Sequence, residues 1–143
     1  MSRVVSMRFQ DAQIKRLQRL ARRLGRTPSE TSALLVEEAL RQFEFGHIDF
    51  RDSSVGRQSY IRGSSLAVWE IVMLAQSYQM SVDKTAVHLG WPQFRVQAAL
   101  SYAESFPEEI AAAIEDNDFY DFNTLSRMLP EAVRFEAQEE ANP

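Results

Sequence analysis

Arg8 and Ser6 are the first residues in this chain with chemistry to offer. They alternate with Val4 along Arg3-Val4-Val5-Ser6-Met7-Arg8-Phe9. A guanidinium can read a guanine edge in a bidentate manner and a hydroxyl can serve several bases. Base hydrogen bonding would fall mainly to Arg8 and Ser6, and Arg3 joins them as a DNA-binding candidate. A second candidate is the turn Thr27-Pro28-Ser29-Glu30, because backbone N–H groups at a helix start attract phosphate. Catalysis has no comparable set. There is no cysteine, and His47 and His88 lie far apart. No nucleophile–base pair or close carboxylate constellation stands outside the acidic C-terminal stretch. The expectation is a protein that is not an enzyme, with no catalytic residues, no metal site and no cofactor.

The elements that would position these residues follow from periodicity. In the opening stretch Val5, Met7 and Phe9 point one way while Val4, Ser6 and Arg8 point the other, the period of a half-buried strand. The chain that follows is helical for a long way, so this strand needs a partner for its backbone hydrogen bonds. One reading is an ordinary edge strand. The other is the same strand from a second copy, with Val5, Met7 and Phe9 as the dimer core and a two-stranded ribbon of a size that fits the major groove. Asp11 is expected to cap a helix whose apolar side is Ile14, Leu17, Leu20, Ala21 and Leu24, and whose other side holds Lys15, Arg16, Arg19, Arg22 and Arg23. Gly25 should end it in the left-handed conformation. Thr27 as cap, Pro28 at the first helical position and Glu30 reaching back then open a second helix. Its apolar side is Leu34, Leu35, Ala39, Leu40 and Phe43. A strand and two short helices in so few residues cannot bury enough surface alone, whereas two copies can.

That order of strand, helix, glycine and capped helix, from Arg3 to about Phe45, resembles the ribbon-helix-helix repressors of the Arc/MetJ/CopG type. The resemblance implies a homodimer that gives Val4, Ser6 and Arg8 to base edges and holds a phosphate at Thr27 to Ser29. Gln10 stands where that family commonly has proline.

Phe45-Gly46-His47 breaks the helical pattern, which divides the chain into residues 1–45, 46–114 and 115–143. Ile48 to Arg51 and Arg57 to Ile61 read as a hairpin around Asp52-Ser53-Ser54-Val55-Gly56. An amphipathic helix with Leu66, Val68, Trp69, Val72, Met73 and Ala75 follows. Ser81 should cap a short helix that Gly90 ends, and Trp91-Pro92 opens a longer one through Phe106. Ala86, Gly90 and Val96 have the spacing of a helix-turn-helix, whose only plausible contacts would be Gln93, Arg95 and Gln97. Packing is the favoured role for this unit, with Trp69 and Trp91 in its core and His88 on a helix surface. The run Tyr60 to Trp69, with Ser81-Val82 and Val96 to Ala103, resembles a small VapB-like antitoxin domain encoded beside PIN-like ribonuclease toxins. That family usually has Gly-Thr-Arg where this chain has Gly63-Ser64-Ser65.

The fold class expected is therefore mainly α: an N-terminal ribbon-helix-helix, then a small hairpin with a tri-helical, helix-turn-helix-like domain, then an acidic tail. Charge is segregated along it. Residues 1–45 hold nine Lys/Arg against five Asp/Glu, net +4, and residues 46–143 hold seven against fifteen, net −8. Partners of opposite sign are implied. In the tail, acids interleave with Phe119, Tyr120, Phe122, Leu125, Met128 and Leu129, and Arg127 lies among them. Such a segment either folds back on its own domain or orders on a partner with a basic groove. These residues are the candidate toxin contacts.

The function expected is an antitoxin that binds operator DNA as a dimer and neutralises a PIN-like ribonuclease. The alternative is a transcription regulator whose second domain senses a small molecule or serves only in assembly. No secretory signal or membrane span is read from the sequence, so the expected place is the cytoplasm.

Overall fold

The computed structural model describes residues 1–119 of the 143-residue chain. They form six α-helices and one two-stranded antiparallel sheet. The chain divides into two compact units, one of Met1–Gly46 and one that starts at His47.

Unit 1 corrects the expected fold at its first element. Residues 1–10 hold no regular secondary structure, every one of them is exposed, and both strands found among the described residues follow two helices. The N-terminal strand and the ribbon built on it are therefore not features of this chain. The physical reason is plain: a strand is defined by ladder hydrogen bonds, and within one chain nothing extended lies beside Arg3 to Phe9. Alternation of side chains is necessary for a half-buried strand and is not sufficient.

α1 spans Asp11–Leu24, and its cap is Gln10 rather than Asp11. Gln10 donates its backbone N–H to Gln13 Oε1 at 2.9 Å, and Asp11 instead complements the helix dipole from the first turn. Gly25 takes the left-handed conformation (φ 64°, ψ 33°), and Arg26 donates to the Ala21 carbonyl at 2.9 Å to close the end. α2 spans Pro28–Glu44. Thr27 Oγ1 accepts from the Glu30 N–H at 3.1 Å and donates to Glu30 Oε1 at 3.1 Å.

Unit 2 opens with β1 (Ile48–Ser53) and β2 (Gly56–Ile61), paired antiparallel from Ile48↔Ile61 to Ser53↔Gly56. The turn between them is the two residues Ser54-Val55, tighter than the five the sequence suggests. Gly56 supplies the positive φ of 112° that the tight return requires, and Ser53 Oγ donates to its carbonyl at 2.7 Å. Ile48 and Ile61 face each other fully buried.

α3 (Val68–Ser77), α4 (Val82–Leu89), α5 (Gln93–Ser105) and α6 (Pro107–Phe119) complete the unit. α3 sits at its centre and packs on α5, α6, α4 and β2. It buries Val68, Ile71, Val72 and Ala75. Ser81 Oγ caps α4 by accepting from Lys84 N–H at 3.2 Å, and Gly90 ends it left-handed at φ 65°. α6 runs five residues past Ile114, so Glu115 to Phe119 belong to a helix and not to a tail. The charges of Glu115 and Asp116 stand on an exposed helical face, which composition does not distinguish from coil.

Candidate functional site

Burial separates the two units sharply. Among the described residues thirteen apolar side chains are buried, and Ala21 is the one that lies in unit 1. The other residues buried there, Thr31 and Glu38, are polar, and the Thr31 Oγ1 has no hydrogen-bond partner. Meanwhile large apolar side chains of unit 1 stand in solvent: Val5 is 84% exposed, Met7 60% and Phe9 38%. Val36, Leu40 and Phe43 continue this on α2, at four- and three-residue steps that place them on one helical face. Val36 is absent from the apolar side read from the sequence, although its spacing to Leu40 and Phe43 is helical.

The DNA-binding candidates lie in the same unit. Arg3, Val4, Ser6 and Arg8 are all exposed and keep their polar groups open to solvent. Neither Arg3 nor Arg8, nor any of Lys15, Arg16, Arg19, Arg22 and Arg23 on the outer face of α1, has an ion-pair partner among the described residues. At the start of α2, Ser29 is exposed, but the Thr27 hydroxyl is already spent on its cap and the Glu30 carboxylate shares the turn. An anion there meets Ser29 and backbone amides against one nearby negative charge.

In unit 2 the helix-turn-helix spacing is real as packing: Ala86 and Val96 are buried around Gly90. Its possible readers are occupied internally. Gln93 donates to Asp83 at 3.0 Å, Gln97 donates to the Ser101 hydroxyl at 3.2 Å, and Arg95 lies over the Trp91 ring while donating to the Arg62 carbonyl at 3.2 Å. His88, on the surface, meets the Tyr78 hydroxyl through Nδ1 at 2.7 Å.

The candidate toxin contacts fall mostly elsewhere. Phe119 is the last residue of α6, and Tyr120, Phe122, Leu125, Arg127, Met128 and Leu129 lie outside the described residues. No family model, no curated protein and no solved structure matches this chain.

One concave site is present that the sequence reading does not anticipate. A cleft of about 200 Å³ lies between β2, Trp69 and α6. Its α6 wall is Glu109, Ala112, Ala113 and Asp116, the i, i+3, i+4, i+7 series of a single face. The buried Tyr102 donates its hydroxyl to Glu109 Oε2 at 2.7 Å, and Ser59 Oγ donates to the same oxygen at 3.5 Å. Trp69 is only half-buried, with Nε1 donating to Gln58 Oε1 at 3.3 Å. Arg57 stands at the rim, ion-paired with Asp52 at 3.2 Å. The acid–small–small–acid series on α6 was visible in the sequence, but its opposite wall comes from Ser59 and Trp69, far away in the chain. No group of three or more His, Cys, Asp or Glu positioned for a metal ion exists among the described residues. None of their helices is long and apolar enough to cross a membrane.

Proposed function

We propose that this protein is the antitoxin of a type II toxin–antitoxin system, which binds operator DNA as a homodimer and neutralises a PIN-like ribonuclease. The observation that carries the reading is unit 1: two helices with one buried apolar residue, an open apolar row and an unneutralised set of arginines. Such a unit lacks a core of its own. Fully burying a large apolar side chain stabilises by about 1.5–3 kcal/mol, and association costs on the order of 4–15 kcal/mol. A shared interface of Val5, Met7, Phe9, Val36, Leu40 and Phe43 is on that scale. The cations around it then supply the electrostatic attraction that DNA binding needs. The toxin is assigned on charge: the chain beyond residue 46 is strongly acidic, and an RNA-binding groove is basic.

Two measurements test this. Met7→Asp places a carboxylate in the shared core, where burial without a partner costs several kcal/mol. Sedimentation should show the wild type as a dimer and the variant as a monomer that no longer binds operator; a fully dimeric variant removes Met7 from the interface. Co-purification with the product of the neighbouring gene should recover a ribonuclease in a stable complex, and recovery of the chain alone counts against the antitoxin role.

A further inference from the structure

We propose that the outer face of α1 docks on the sugar–phosphate backbone of duplex DNA, as a contact indifferent to base sequence. This contact rests on the DNA-binding part of the function proposed above and needs no toxin.

A row of like charges on α1 goes unanswered among the described residues. Lys15, Arg16, Arg19, Arg22 and Arg23 all lie on this helix and all are exposed. At about 3.6 residues per turn they fall within about one third of the helix circumference. None of them has an ion-pair partner among the described residues. Arg19 is three residues from Arg16 and Arg22 and four from Lys15 and Arg23, so four repulsive pairs meet at one side chain. A face that served only solvent would gain from acids at those spacings. The acid of α1 is Asp11, in the first turn. Elsewhere in unit 1 a cation is answered: Arg41 on α2 pairs with Glu37 at 2.9 Å.

Charge density selects the partner. Lys15 to Arg23 covers about 12 Å of helix axis, and five positive charges stand along it. Duplex DNA carries one negative charge per about 1.7 Å, or about seven over the same length. A polyanion of that density neutralises the whole row at once and releases its own counterions. A folded acidic protein offers separate carboxylates, each on its own flexible stem. An anionic membrane requires an apolar side free to insert beside the cations. On α1 that side, Ile14, Leu17, Leu20 and Leu24, is half-buried, and the helix packs on α2. Guanidinium forks also match the oxygens of a phosphate.

The test uses the full chain and a fluorescent duplex of scrambled sequence, followed by anisotropy from about 50 to 200 mM salt. The wild type should bind with an affinity that falls steeply as salt rises. A charge-neutral variant combines Arg16→Gln, Arg19→Gln and Arg23→Gln. Its log–log salt slope should be flatter by about 2–3, since each lost phosphate contact removes about 1. A charge-keeping variant with Arg16→Lys, Arg19→Lys and Arg23→Lys should retain the slope. Relief of repulsion means that the charge-neutral variant should melt no lower than the wild type at low salt. If it does melt lower, Arg19→Gln alone, with a slope change of about 1, carries the test. An unchanged slope on neutralisation, or a slope lost equally in the charge-keeping variant, overturns the proposal. Tighter binding to phosphatidylserine vesicles than to the duplex overturns it in favour of a membrane. A second duplex, from the DNA upstream of the chain's own gene, separates this failure from that of the wider reading. If the wild type and the charge-neutral variant bind it with one slope, α1 is removed and DNA binding stands. If the wild type binds neither duplex, both fall.

Discussion

Arg8 and Glu70 show how differently two charged residues can be placed. Arg8 is exposed and without an ion-pair partner among the described residues. If it reads a guanine edge, Arg8→Ala should weaken operator binding by about 1–3 kcal/mol and leave the dimer intact. A gel-shift titration at fixed salt measures this, and unchanged affinity removes Arg8 from the readout. Glu70 instead caps α3, accepting from the Ala67 N–H at 3.1 Å. Burial pushes its carboxyl above the ordinary carboxylate range, with the backbone hydrogen bond pulling back more weakly. The folded state therefore holds this proton to higher pH than the unfolded chain does. Stability is favoured below the ordinary carboxylate value and falls as pH rises through the folded one, leaving a burial penalty at neutral pH. Glu70→Gln keeps an acceptor for Ala67 and removes the penalty. Its melting temperature should exceed the wild type's at neutral pH, and the gap should close as pH falls through the carboxylate range. A gap independent of pH refutes the assignment.

Among the elements, those fixed by neighbours in sequence were legible and those fixed by distant partners were not. Thr27 caps α2 and Ser81 caps α4, while Gly25 ends α1 and Gly90 ends α4 in left-handed geometry, as their residue types imply. Each interaction spans three or four residues, so local chemistry determines it. The alternation of Arg3 to Phe9 misled for the opposite reason, since a strand is a property of two segments. The C-terminal extent of α6 was missed because acids serve a solvated helix face as well as a coil. The cleft was invisible because the Ser59 hydroxyl and the Glu109 carboxylate meet across fifty residues. Gly90 gives the element-scale prediction. A Cβ there would meet nothing within 4 Å, so Gly90→Ala tests backbone conformation alone. The left-handed region costs an alanine about 1–2 kcal/mol, and denaturant unfolding should show a loss of that size with DNA binding retained. A neutral outcome would mean that the α4–α5 turn relaxes to another conformation.

On the scale of the molecule, a basic unit without its own core precedes an acidic unit with a complete one, and this arrangement dictates where the chain can be cut. Ile110 is buried, Glu109 holds the Tyr102 hydroxyl, and α6 packs on α3. A cut at Ile110 would strip most of α6 and damage unit 2, confusing loss of fold with loss of function. A cut after Phe119 keeps the helix whole and removes only residues 120–143. That stretch contains Tyr120, Phe122, Leu125, Met128 and Leu129 among five acids and the bases Arg127 and Arg134. On the antitoxin reading, its aromatic and aliphatic groups bury against the ribonuclease and offset the ordering entropy of the segment. The truncated chain should bind operator as tightly as the full chain, because unit 1 and all of its exposed cations are retained. It should fail to protect cells when co-expressed with the toxin. Equal protection by the two chains would move the inhibitory contact into unit 2, and the α6 cleft would then be the first place to mutate.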